Sequence, residues 1–250
     1  MLRRIFTVGG FTLLSRVTGF ARDIMLAAIL GAGPMADAFF VALRLPNHFR
    51  AIFAEGAFNA AFVPAYAHVS GNGGPSAAHL FANRIFTLLL ASQILLLAVA
   101  WLFMPQVIAL LAPGFVHDPV RGELAISLTR ITFPYLLLIT LVTLYGGMLN
   151  VAQRFASAAA APIFLNLSMI ATLALAAFFP DAGYAAAWGV LISGFLQYFL
   201  LAADAARQGL LPRLTRPTLD ADVRGFFRAL GPATIGSMGT QLAMFADTII

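Results

Sequence analysis

Arginines and carboxylates set in apolar sequence are the residues of this chain best able to do chemistry, and they cluster in its first 55 positions. "SRVTGFARD" (15–23) holds Arg16, Arg22 and Asp23, and "ADAFFVALRLPNHFRAIFAEG" (36–56) holds Asp37, Arg44, Arg50 and Glu55. A charge at the centre of a membrane helix costs about 2.5 to 3.5 kcal/mol on insertion scales, against about 0.3 to 0.6 kcal/mol gained per Leu, Ile, Phe or Val. Such groups persist where something uses them. At about 100° per residue, Arg16 and Asp23 share one helix face while Arg22 lies about 120° around from Arg16. If the two segments line one cavity, Asp23 and Asp37 can orient guanidinium groups by bidentate pairing and leave the other N–H donors for a ligand. A guanidinium fork matches the oxygens of a phosphate, and four basic against three acidic residues favours an anion over a cation. Ser15 and Asn47 add uncharged hydrogen-bonding groups beside these charges. Pro46 removes one helical N–H and disfavours helix geometry at Leu45, so the second segment is expected to kink or unwind there. At membrane depth an unwound segment needs protein or a water-filled cavity beside it. The competing reading, in which the charges pair among themselves or reach the headgroups from helix ends, carries most weight for Arg44 and Glu55.

Membrane helices must position these groups. Of the 250 residues, 61% are hydrophobic and 10% charged, and the mean hydropathy is +0.90, which is the composition of an integral membrane protein. Apolar runs near the bilayer-spanning length of about 20 residues occupy approximately 5–30, 35–56, 79–104, 122–150, 157–179, 183–206 and 226–250, separated by Pro, Gly, Asp and Arg. "AFNAAFVPAYAHV" (57–69) reads as a short amphipathic continuation near the interface, ended by "SGNGGPS". The opening residues also have the look of a signal peptide, but apolar character resumes beyond Arg16 and Arg22 as far as Gly31, so a retained first helix is expected. The expected fold is an all-α bundle: a six-helix lobe over 1–206, a linker over 207–225, and a seventh helix from 226 that opens a second lobe. Because the chain ends at Ile250 inside an apolar run, it is expected to be the first part of a longer protein built from two similar halves.

Arginine placement sets the orientation. Arg3, Arg4, Arg84, Arg154 and the cluster Arg207, Arg213, Arg216, Arg224 and Arg228 fall on one set of connections, whereas the other set holds only Arg121 as a clear loop arginine. The N-terminus is therefore expected on the cytoplasmic side. All fifteen basic residues are arginine, yet they form no clustered basic face, so no nucleic-acid partner is expected. The absence of cysteine excludes disulfides, thiolate nucleophiles and cysteine-based metal centres. His48, His68, His79 and His117 show no ligand spacing on one helix face, so no transition metal is expected.

The segments 15–23 and "ADAFFVALRLPNHFRAIFAEGAFNAAFVP" (36–64), together with "YGGMLNVAQRF" (145–155), resemble the signature segments of the lipid II flippase family (MurJ, also called MviN). That family belongs to the superfamily of multidrug, oligosaccharidyl-lipid and polysaccharide exporters. The resemblance runs the length of the chain in helix order and is densest in the first two helices. It implies a bacterial inner-membrane protein of fourteen helices in two lobes. Such a protein moves the undecaprenyl-diphosphate-linked disaccharide-pentapeptide precursor of peptidoglycan, lipid II, to the outer leaflet by alternating access, with no covalent chemistry and no cofactor. By motif position it implies that Arg16, Arg22 and Arg50 bind the diphosphate in a central cavity, that Asp37 is a functional carboxylate, and that Ser15, Asp23, Asn47 and Glu55 support them. It also implies Asp247 as a candidate ligand to a sodium ion, membrane lipids as surroundings, and cell-wall synthesis or division proteins as candidate partners. Two other readings remain open. An exporter of other lipid-linked oligosaccharides or of cationic drugs would favour acids over arginines in a drug-carrying cavity. A membrane enzyme acting on a polyprenyl diphosphate would need clustered acids with a metal, or a phosphate-transfer set of Arg, His and Ser, neither of which is visible.

Overall fold

A computed structural model describes the backbone of residues 2–50 and 56–249, with their side chains except those of residues 2–5, 45, 48, 49, 116 and 237–249. Among the described residues all regular structure is helical. The helices are α1 (Leu2–Leu30), α2 (Pro34–Phe49), α3 (Phe58–Leu102), α4 (Met104–Leu111), α5 (Pro119–Thr132), α6 (Tyr135–Val151), α7 (Ala156–Ala174), α8 (Ala182–Arg207) and α9 (Ala221–Ile249). By length and composition α3, α5 with α6, α7 and α8 are each apolar enough to cross a membrane. The charged α1 and the 16-residue α2 are the exceptions among the first six expected spans.

Two expectations need correction. The stretch 57–69 is more deeply packed than a short amphipathic continuation, and its helix carries Pro64 without a break. It is the first part of α3, and it buries Phe58, Ala61, Phe62, Tyr66 and Val69 at helical spacing against the rest of the bundle. The chain then turns at Gly74, whose φ of 76° suits a residue without a Cβ, and Pro75 starts the next helical segment, where its missing N–H costs least. The second correction concerns 122–150, which is two helices broken at Phe133 and Pro134.

Helix α2 runs through Pro46 to Phe49 rather than unwinding there, and at both Pro46 and Pro134 a side chain takes the carbonyl the proline leaves unmatched. Pro46 cannot donate to the carbonyl of Ala42, and the buried Thr132 hydroxyl of α5 donates to that oxygen at 2.9 Å. Pro134 cannot donate to the carbonyl of Arg130, and the Trp101 indole N–H donates to it at 3.3 Å. In a medium without water such substitutes are what allow a helix to accommodate a proline.

Helix α7 packs between α1 and α8, α2 lies on α5 and α8, and α3 lies on α6 and α9. The contacts of α8 are made close by small residues. Gly189 is one of them, since a Cβ there would stand 2.9 Å from Met169 Cα. One end of the bundle joins the start of α2 to the start of α5 through Asp37, Arg121 and Asp118. The opposite end is closed by the non-helical stretch 208–220, which is fastened along α3. There the Arg213 N–H donates to Asn83 Oδ1 at 2.8 Å, the Thr215 N–H donates to Thr87 Oγ1 at 3.1 Å, and Arg84 pairs with Asp220. Asp220 also caps α9 by accepting the Val223 N–H at 2.9 Å. Phe226, in the second turn of α9, is fully buried among Phe58, Phe62 and Phe81.

Candidate binding site

The polar centre of the first span is built on Arg22. Its Nε and Nη2 both donate to Asp23 Oδ1, at 2.9 and 2.7 Å, and its Nη1 donates to Asn166 Oδ1 of α7 at 2.9 Å. Asn166, only 5% exposed, returns its own N–H groups to α1, donating to the Ser15 carbonyl at 2.8 Å and to Thr18 Oγ1 at 3.1 Å. Gly19 lets the two helices come this close, because a Cβ there would already lie 3.4 Å from Asn166 Nδ2. A guanidinium carries five N–H donors, and three of those on Arg22 are matched, which leaves two for a ligand. Arg16, around the helix from Arg22, is exposed and makes no hydrogen bond or ion pair to a described residue.

The sequence pattern brings some of the expected residues together and separates others. Arg22, Asp23 and the Ser15 carbonyl form one cluster, in which Asp23 orients its chain neighbour Arg22. Asp37 pairs instead with Arg121 of α5 at 3.1 Å, and Arg121 is shared with Asp118 at 2.9 Å. The physical reason is packing. Helix α2 lies on α5, so the carboxylate in its first turn meets the first turn of α5. Between α1 and α2 is a cleft of about 430 Å³ lined by Asp23, Leu26, Ala27, Leu30, Gly31 and Phe40.

Arg50 occupies different surroundings. It caps α2 with its N–H on the carbonyls of Pro46 and Asn47, and the chain widens to π-helical geometry at Arg50 and again at Gly56 and Ala57, a form that recurs at functional sites. Its side chain lines a cavity of about 150 Å³ inside the lobe, with Asn59, Thr143, Asn150 and Gln197 among the walls. Asn47 is half-buried in α2, and Arg44 is exposed beside a pocket that also reaches Asp37. Glu55 and the side chain of Asp247 lie outside the described residues. Among the described residues no group of three or more His, Asp or Glu is placed to hold a metal ion.

Asn166, Thr132, Trp101 and the Asp37 partner Arg121 are the structural contributors that sequence reasoning missed. The lone amide in "AAPIFLNLSMIATLA" is a signal that a search restricted to charges passes over, although an intramembrane amide needs a partner just as a charge does.

A bundle of helices, several of them long and apolar enough to cross a membrane, with a partly matched arginine on its first helix, has the make-up of a polytopic membrane protein. The family model described as lipid II flippase MurJ matches residues 26–250, and the chain belongs to that family. A protein of Rhizobium meliloti (strain 1021) named probable lipid II flippase MurJ is 40% identical over 255 residues, covering 100% of this chain and 48% of that protein. Among solved structures, a lipid II flippase MurJ in an inward closed conformation superposes with a TM-score of 0.79 at 24% identity, covering 94% of this chain and 48% of the other. A transporter of the MOP superfamily from Pyrococcus furiosus Vc1, described as having a binding pocket of reverse polarity, superposes with a TM-score of 0.72 at 16% identity over 97% of this chain and 54% of its own. These superpositions establish the fold. The chain spans about half the length of the relatives it matches.

Proposed function

We propose that the protein translocates lipid II from the inner to the outer leaflet of the bacterial inner membrane by alternating access, and that these 250 residues form its first lobe with the start of a second. The observation that carries this reading is the Arg22 site. A guanidinium held on α1 by Asp23 and Asn166 keeps two donors for an anion, and a diphosphate offers oxygens in the matching geometry. Membership of the family points the same way.

Arg22 grips the diphosphate through its unmatched donors, Arg16 adds charge on the exposed face of α1, and Arg50 at the C-terminal end of α2 is the third arginine of the set. The headgroup lies against the arginine-bearing face of α1 while the polyprenyl tail stays in lipid. No bond is made or broken, so the protein is not an enzyme. It supplies different affinity for the cargo in its inward and outward states, and the membrane potential or an ion gradient supplies the bias. Asp247 is the candidate ligand for a coupling sodium ion. The arginine-rich set of connections supports a cytoplasmic N-terminus.

Cells depleted of the native protein test the site. Arg16→Ala, Arg22→Ala and Arg50→Ala, each made in the complete gene and inserted at normal levels, are expected to fail to restore growth. Full complementation by all three overturns the assignment.

A further inference from the structure

We propose that Asn166 is a positioning residue for the anion site: it fixes the pose of Arg22 without neutralising its charge. The proposal rests on the function given above. Asn166 sits on α7, away from the charged helices in sequence, and its single amide makes three hydrogen bonds to α1. One is to the Arg22 guanidinium. The other two, to the Ser15 carbonyl and the Thr18 hydroxyl, tie the amide to the helical turn just before Arg22, so its oxygen is held where Nη1 must come to it. Thr18 is itself anchored, donating to the Leu14 carbonyl at 2.8 Å.

The chemistry of the acceptor matters as much as its place. Asp23 already sets one negative charge on the Nε and Nη2 edge of Arg22. A second carboxylate at position 166 would compete with an incoming anion and, having no N–H groups, could not bond the Ser15 carbonyl. A neutral amide oxygen orients the group and leaves its charge for the ligand. The amide is also buried, whereas Asp23 has 61% of its side chain exposed, so Asn166 is the more rigid of the two holders. Asn166 is not itself a ligand, because both kinds of group on its amide are already engaged by α1.

A double-mutant cycle separates this role from simple helix packing. The complete protein is purified as wild type, Asn166→Ala, Arg22→Ala and the double variant, and each is titrated with lipid II and with farnesyl diphosphate. With Arg22 present, Asn166→Ala is expected to weaken binding of both by about tenfold, the scale of one charge-assisted hydrogen bond. With Arg22→Ala in place the same change is expected to alter binding by less than about twofold. Equal losses in both backgrounds, or no loss in either, overturn the proposal. Should Asn166→Ala not fold, Asn166→Ser takes its place in the same cycle, with the same expected loss only when Arg22 is present; equal losses in both backgrounds, or none, overturn the proposal. A wild type that binds farnesyl diphosphate but not lipid II rejects the cargo, and the cycle on farnesyl diphosphate then decides the role of Asn166. A wild type that binds neither removes the anion site and this inference with it.

Discussion

At the scale of single residues, the first two membrane segments are organised by hydrogen bonds that reach across the chain. Thr132 is the clearest case, because it is buried and donates to the very carbonyl that Pro46 leaves without an N–H. Thr132→Val keeps the shape and removes the donor, leaving the Ala42 oxygen unsatisfied, so the complete protein in detergent is expected to lose about 1–3 kcal/mol of stability. Thr132→Ser, which keeps the hydroxyl, is expected to lose much less, and thermal unfolding of the two variants side by side checks this. The unwinding expected at Pro46 does not occur, since α2 runs through it to Phe49, but the open carbonyl was legible in the sequence because proline acts locally. Its remedy was not, because nothing near Pro46 announces a threonine 86 positions further on. The same contrast holds at the site. Arg22 and Asp23 stand out as charges in apolar sequence, whereas Asn166 enters through a helix contact that spacing cannot reveal. Asp37 was read as a carboxylate that orients the arginines of the first two segments, but the guanidinium it meets is that of Arg121.

At the scale of elements, hydrophobic runs marked out the helices well and their joints less well. The first span and the last two of the first six fall close to expectation, whereas α9 starts at Ala221, inside the stretch 207–225 read as a linker. The joints went astray where one signal has two outcomes. Glycine and proline at 74 and 75 turn a helix that continues on both sides, while proline at 134 splits a run that reads as continuous. The stretch 208–220 has the composition of a loose tether yet is held to α3 by three polar contacts, followed by Phe226 in its aromatic pocket. The start of α9 therefore moves with the first lobe. Phe226→Ala is expected to cost about 3–5 kcal/mol, as for a large aromatic removed from a packed core, and Phe226→Leu clearly less. Denaturation of the detergent-solubilised variants measures both. Equal stability of Phe226→Ala and wild type would mean that the strap and α9 are not fastened in solution.

At the scale of the whole molecule, the two ends of the bundle are closed by different chemistry. Asp37, Arg121 and Asp118 tie one end, and the strap along α3 ties the other. Between them, the faces of α1 that carry Arg16, Val17, Phe20 and Ile24 are exposed. Arg16 thus stands uncovered among exposed apolar side chains of α1. The central claim is that the protein carries lipid II across the membrane. It is tested most directly by depleting the protein from living cells and measuring how much lipid II an externally added lipid II-cleaving enzyme can reach. The account predicts that the precursor accumulates uncleaved on the inner side, that the cells lyse, and that the wild-type gene restores cleavage while Arg22→Ala does not. Undiminished cleavage of lipid II in depleted cells would contradict it.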